Sequence, residues 1–175
     1  FFNDNIPSRT NKRSSNSFLP NYKLSEFNPN VAERVINYWS DKGDLVFDPF
    51  SGRATRGLIA NKIGRNYIGC EISKKTYDEV MQVREQMDSQ SLIKKDEENF
   101  VLLNSDGCQF NEELEDNDID LVFTCPPYWK LEKYESCDNQ LSDCKTYEGF
   151  LSKIRDCVKE CYRVLKNDKF SVWVV

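Results

Sequence analysis

The chain has no histidine, no Cys-x-x-Cys pair and no apolar run long enough to cross a bilayer. The first absence removes histidine general bases and every Ser-His-Asp or Cys-His arrangement. Together with the second it leaves no zinc-ligand spacing, so no metal site is expected. The third, with no secretion signal at the start, gives the expectation of a soluble, cytoplasmic protein that does not engage a membrane. A Gly-x-Gly-x-x-Gly turn is missing too, which argues against a dinucleotide enzyme. Cysteine itself is plentiful: Cys70, Cys108, Cys125, Cys137, Cys144, Cys157 and Cys161. Their odd number does not make a disulfide framework, and reduced thiols are expected. Cys157 and Cys161 stand one helical turn apart, a spacing read as a buried helix face.

Positive charge is in the minority. Lys and Arg number 24 against 29 Asp and Glu, for a formal charge of -5 over 175 residues. Phosphate binding favours Lys and Arg, so a nucleic-acid partner would need a local basic strip. Arg9, Lys12, Arg13 and Lys23 supply a basic stretch, read here as a solvated leader. Aromatic residues at 13% and apolar residues at 39% give the composition of a globular domain.

Residues 1–27 are rich in Asn, Ser, Pro and Arg without periodicity and read as an irregular arm, with a catalytic domain over residues 28–175. From Pro29, Val31, Val35, Ile36 and Trp39 recur at helical spacing up to Gly43. A strand at 44–48 leads into a Pro-Phe-Ser-Gly turn and a helix over 55–62 that offers Leu58 and Ile59 to the core, with Gly64 as its cap. A second strand at 66–71 and a polar helix at 73–87 follow, then a charged stretch over 88–99. Strands at 100–104 and 119–124 come next, then a long loop over 125–145. An amphipathic helix over 147–165 carries Phe150, Ile154, Val158, Cys161 and Leu165 on one stripe, and a fifth strand starts at 169. Alternating strands and helices predict an α/β fold with a mostly parallel sheet covered on both faces, its ligands beyond the carboxyl ends of the strands. The chain stops inside that apolar strand, which reads as a C-terminally incomplete domain.

The distinctive residues sit at those strand ends. Asp48-Pro49-Phe50-Ser51-Gly52 runs through Thr55 as strand, tight turn and helix start, where glycine lets backbone approach a ligand and free N–H groups face it. Glu71, ending the second strand, can accept both hydroxyl protons of a ribose. Asp106, after the third, can accept from an adenine amino group or simply form a turn. Cys125-Pro126-Pro127-Tyr128-Trp129 follows the fourth strand directly, and its consecutive prolines fix the backbone while presenting carbonyl acceptors to an amine.

In these motifs the sequence resembles the amino-methyltransferases of DNA, whose hallmarks are an Asp-Pro-Phe-x-Gly turn and an (Asp/Asn/Ser)-Pro-Pro-aromatic motif. The resemblance covers residues 28–175 and implies a Rossmann-like, S-adenosylmethionine-dependent methyltransferase fold with its last strands missing. It implies a restriction-modification setting and double-stranded DNA as partner, the target base flipped out. Asn28 and Pro29 resemble the motif that contacts the methionine end of the cofactor. With Asp48, Pro49, Phe50, Gly52, Thr55, Glu71 and Asp106 they make the implied cofactor site. Cys125, Pro126, Pro127 and Tyr128 make the implied catalytic site, acting on the amine of cytosine or adenine.

Two departures stand out. Ala54 occupies a usual second glycine, and Cys125 replaces an oxygen or amide acceptor with a thiol, which accepts poorly. Cys125 is nearest Ser in shape, which tilts the expectation slightly towards cytosine. An RNA or protein-amide methyltransferase, or a catalytically weak cofactor-binding module, remains an alternative.

Overall fold

The computed structural model describes residues 27–90, 99–110, 114–132 and 134–175. The basic residues of the arm lie outside that set, as does most of the charged stretch before residue 99. The order of elements is α1 (Pro29–Trp39), β1 (Leu45–Asp48), α2 (Thr55–Lys62), β2 (Asn66–Cys70), α3 (Lys74–Gln90), β3 (Phe100–Leu103), β4 (Ile119–Thr124), α4 (Tyr147–Val164) and β5 (Leu165–Trp173).

The five strands form one sheet in the order β3-β2-β1-β4-β5, and every pairing is parallel. The direction of winding reverses between β1 and β4, which opens a crevice where their carboxyl ends diverge. Strand alternation divides the core. Val46, Leu121 and Phe123 join Ile36, Leu58, Ile59 and Val80 of α1, α2 and α3 on one face. Phe47, Ile119 and Val122 meet Phe110, Cys157, Cys161 and Val164 on the other. All residues of β4 are buried, as a central parallel strand requires.

Local signals set most element ends. Asn28 caps α1 by accepting from the N–H groups of Asn30 and Val31, at 2.9 and 3.4 Å. Gly64, at φ +86°, closes α2, with the Arg65 N–H bonded back to the Ala60 carbonyl at 2.9 Å. Thr146 accepts from the Gly149 N–H at 3.1 Å and starts α4.

Two apolar stripes are shifted from the sequence reading. On α1 the fully buried residues are Ala32 and Ile36, while Val31 is exposed. On α4 the buried line is Phe150, Cys157, Cys161 and Val164, and Val158 faces outward. Both helices bury small or polarizable side chains that hydrophobicity alone ranks below Val. The buried Cys157–Cys161 face matches its spacing, and all seven cysteines are free. The fifth strand begins at Leu165 rather than 169, with no loop after α4. Its pairing with β4 is irregular between Ile119 and Leu121, where residues 166–169 bulge and Asp168 takes φ +61°. The loop after β4 contains two short helical turns, Trp129–Leu131 and Leu141–Asp143. Phe27, assigned by sequence to the arm, packs edge-on against Phe123 with ring centres 5.6 Å apart. Among the described residues no helix is long and apolar enough to cross a membrane.

Candidate active site

A cavity of about 520 Å³ opens at the carboxyl ends of β1, β2 and β4, over the crevice between β1 and β4. Asn28, Pro49, Phe50, Gly52, Thr55, Glu71 and Asp106 line it, and so do Cys125, Pro126, Pro127 and Tyr128. Two residues singled out by sequence do not. Pro29 occupies the first turn of α1, where its fixed φ and missing N–H suit a helix start. Asp48 lies beneath the floor, wholly buried.

Asp48 is the hub of an internal polar network. Its Oδ2 accepts from Arg56 Nε at 2.7 Å and from the Tyr67 hydroxyl at 3.3 Å. Its Oδ1 accepts from Thr124 Oγ1 at 2.6 Å and the Phe50 N–H at 3.2 Å. Burial works against the charge on Arg56, but the ion pair with Asp48 outweighs it and holds the guanidinium above its ordinary pKa. Asp48, placed by the resemblance in the cofactor site, thus spends its hydrogen-bonding capacity inside the protein. The carboxylate is neutralised from inside and has no face on the cavity.

The turn above this network is tightly set. The Ser51 N–H bonds to the Cys70 carbonyl at 2.9 Å, tying the turn to the end of β2. Gly52 adopts φ +54° with open space where a Cβ would project. Ala54 holds φ +53° despite its side chain, a conformation costing a non-glycine residue about 1 kcal/mol. The Arg56 guanidinium donates to the Phe50 carbonyl at 2.7 Å and lies over the Phe27 ring, 4.8 Å from its centre.

Glu71 accepts from the Ser73 N–H at 2.7 Å. Removal from water raises its pKa to about 7, against the lowering effect of the Ser73 and Gly52 amides. Asp106 does bond within its own turn, accepting from the Cys108 N–H at 2.9 Å, yet it also lines the cavity. Its neighbour Gly107 packs so closely on Pro49 that an added Cβ would stand 1.7 Å from the Pro49 carbonyl oxygen.

The Cys125-Pro-Pro-Tyr turn leaves β4 with Cys125 Sγ 3.2 Å from the Tyr128 hydroxyl. Trp129 points away from the cavity; its Nε1 donates to the Cys144 carbonyl at 2.9 Å and its ring meets Tyr147 at 5.2 Å. The loop beyond returns over the cavity, bringing Glu132, Tyr134, Glu135 and Gln140 to its wall. Ser73 Oγ donates to Glu135 and fastens this loop to the start of α3. Sequence reasoning took Phe27 and Arg56 into its motifs without giving either a role of its own, and it missed Gly107 and these loop residues. Only Gly107, beside Asp106, carried a local signal. Among the described residues no cluster of His, Cys, Asp or Glu is placed to hold a metal ion.

The chain matches the family described as DNA methylase over residues 2–82 and 119–175. It is 48% identical over 52 residues to the orphan methyltransferase M.BamHII of Bacillus amyloliquefaciens, a match covering 30% of this chain and 20% of that protein. It is 41% identical over 54 residues to the type II methyltransferase M1.MboII of Moraxella bovis, covering 29% and 21%. The matched stretch thus spans about a fifth of each relative's length. Among solved structures, TrmN from Thermus thermophilus superimposes with a TM-score of 0.61 at 15% identity, covering 83% of this chain and 37% of that one. An rRNA methylase from Streptococcus thermophilus gives 0.56 at 9% identity, covering 86% and 71%. These likenesses establish a Rossmann-like methyltransferase fold.

Proposed function

The chain belongs to the DNA methylase family, and from that premise we propose that it transfers a methyl group from S-adenosylmethionine to the exocyclic amine of cytosine or adenine in DNA. The observation that carries this reading is the meeting of the Cys125-Pro-Pro-Tyr turn with Gly52, Glu71 and Asp106 around one cavity. Cofactor end and amine end are then neighbours.

The cavity suits the cofactor chemically. Gly52 leaves open space beside the start of α2, and Glu71 is a desolvated carboxylate that gains from hydroxyl donors. Glu71, Asp106 and Glu135 give the wall an acidic character that favours a ligand carrying positive charge. Glu71 holds the ribose hydroxyls, Asp106 the adenine amine, and Asn28 with the 49–52 turn the methionine end. When bound, the cofactor supplies an electrophilic methyl group.

The chain's own residues prepare the amine. An exocyclic amine is a poor nucleophile because its lone pair is conjugated with the ring. Cys125 Sγ and the Pro126 carbonyl accept its two hydrogens, which localises the lone pair and aims it at the methyl. Tyr128 stacks on the base once it has left the double helix. Placement supplies most of the acceleration.

The test is calorimetric titration with S-adenosylmethionine and S-adenosylhomocysteine, followed by methyl-transfer assays on DNA and RNA side by side. Tyr128→Ala is expected to abolish turnover while cofactor binding persists. Transfer to RNA but not DNA would overturn the substrate assignment. Absence of cofactor binding by the folded protein would overturn the whole reading.

A further inference from the structure

Glu132 and Tyr134 reach the cavity from outside every motif. The Tyr134 hydroxyl donates to Glu132 Oε2 at 2.9 Å, and the Tyr128 backbone amide meets the phenol oxygen. Cys125 is close enough to act electrostatically on the same phenol. Tyr134 therefore ties Glu132 to the turn that holds the amine. Burial, and then the Glu132 carboxylate, push the Tyr134 pKa up, so the phenol keeps its proton and remains the donor of this pair.

This placement answers a chemical deficit. An amine nitrogen that has gained a methyl group carries positive charge and must lose one proton. A cysteine thiol is a weak acceptor and a proline carbonyl cannot retain a proton. A carboxylate can.

We propose that Glu132, oriented by Tyr134, is a catalytic residue whose carboxylate takes the proton that the methylated amine loses. The N–H bond breaks, its electron pair returns to nitrogen, and the proton passes to a Glu132 oxygen. A cationic amine and a carboxylate become a neutral secondary amine and a carboxylic acid, which then exchanges its proton with solvent. Arg53 and Arg56 are the cations lining the cavity.

The inference rests on the proposed amine methylation, and its test separates the two. Glu132→Gln keeps an acceptor for Tyr134 but cannot take a proton. It is expected to lower kcat by about 10²-fold or more, with KM and S-adenosylhomocysteine affinity within about threefold of wild type. Glu132→Ala is expected to recover about tenfold of its lost rate when formate is added as an external acceptor. Wild-type kcat in Glu132→Gln would overturn the proposal and leave the methyltransferase reading standing. So would loss of cofactor affinity in both variants without formate rescue, which would mark a structural role. A wild-type protein that methylates no nucleic acid would overturn both.

Discussion

Thr124 Oγ1 donates to Asp48 Oδ1 at 2.6 Å, joining residues 76 positions apart at the carboxyl ends of β1 and β4. The bond bridges the point where the sheet reverses its winding. It sets the residue before the Cys125–Tyr128 turn against the residue before the Pro49–Gly52 turn. Because Arg56 holds the other oxygen of Asp48 at 2.7 Å, one buried carboxylate fixes the relative position of both halves of the site.

Removing that carboxylate leaves a buried guanidinium without its partner. Asp48→Ala is expected to destabilise the fold by about 3–5 kcal/mol in denaturant unfolding. Thr124→Val, which removes only one hydroxyl, is expected to cost about 1–3 kcal/mol. A normal unfolding midpoint for Asp48→Ala, with cofactor binding alone lost, would return Asp48 to the ligand.

Glu71 should couple cofactor binding to pH. Its pKa of about 7 lies above the usual carboxylate value, so folding disfavours its charged form. It leaves stability intact below about pH 4.5. Between there and pH 7 it subtracts progressively, by about 1–3 kcal/mol at full ionisation. In its proposed role Glu71 accepts from the ribose hydroxyls in its ionised form, so affinity should fall as pH drops through 7. Glu71→Gln is expected to raise the unfolding free energy above pH 7 while weakening S-adenosylhomocysteine binding. Calorimetry between pH 6 and 8 on both proteins reads the two opposite trends, and pH-independent binding by wild type would contradict them.

Two glycines should respond oppositely to alanine. At Gly107 a Cβ would meet the Pro49 carbonyl oxygen at 1.7 Å, so the β3 loop or the turn must move. A loss of about 3 kcal/mol or more is expected, with the cavity disrupted. At Gly52 a Cβ meets nothing within 4 Å but the backbone is at φ +54°, so Gly52→Ala should cost about 1 kcal/mol. Gly52 lines the cavity, so its methyl is still expected to weaken cofactor binding. Unfolding midpoints and titration of each variant distinguish these effects.

Cys125 tests the acceptor chemistry. A hydroxyl accepts hydrogen bonds better than a thiol and has nearly the same shape. Cys125→Ser is expected to retain or exceed wild-type kcat, while Cys125→Ala should lose about 10–100-fold without losing cofactor affinity. Equal rates in Cys125→Ala and wild type would remove the side chain from the mechanism.

Sequence alone determined the α/β order and singled out the strand-end residues of the cavity, from Pro49 to Thr55, at Glu71 and Asp106, and from Cys125 to Tyr128. The reason is local. A buried parallel strand such as β4 needs a continuous apolar run, a capped helix such as α2 needs its closing glycine, and a turn such as 49–52 or 125–128 needs glycine or proline at fixed offsets. Each requirement is written within a few residues. The phases of α1 and α4 were less legible, because Ala32 and Val164 are buried, and Val31 and Val158 exposed, by what the sheet presents to them rather than by their own hydrophobicity. Only the tertiary structure decided that Asp48 belongs to Arg56 and Thr124, and that Glu132 and Tyr134 return to the cavity. Those partners come from separate elements or a loop without period. A carboxylate's role depends on which cation or hydroxyl reaches it first, and that is settled by the distances that folding creates.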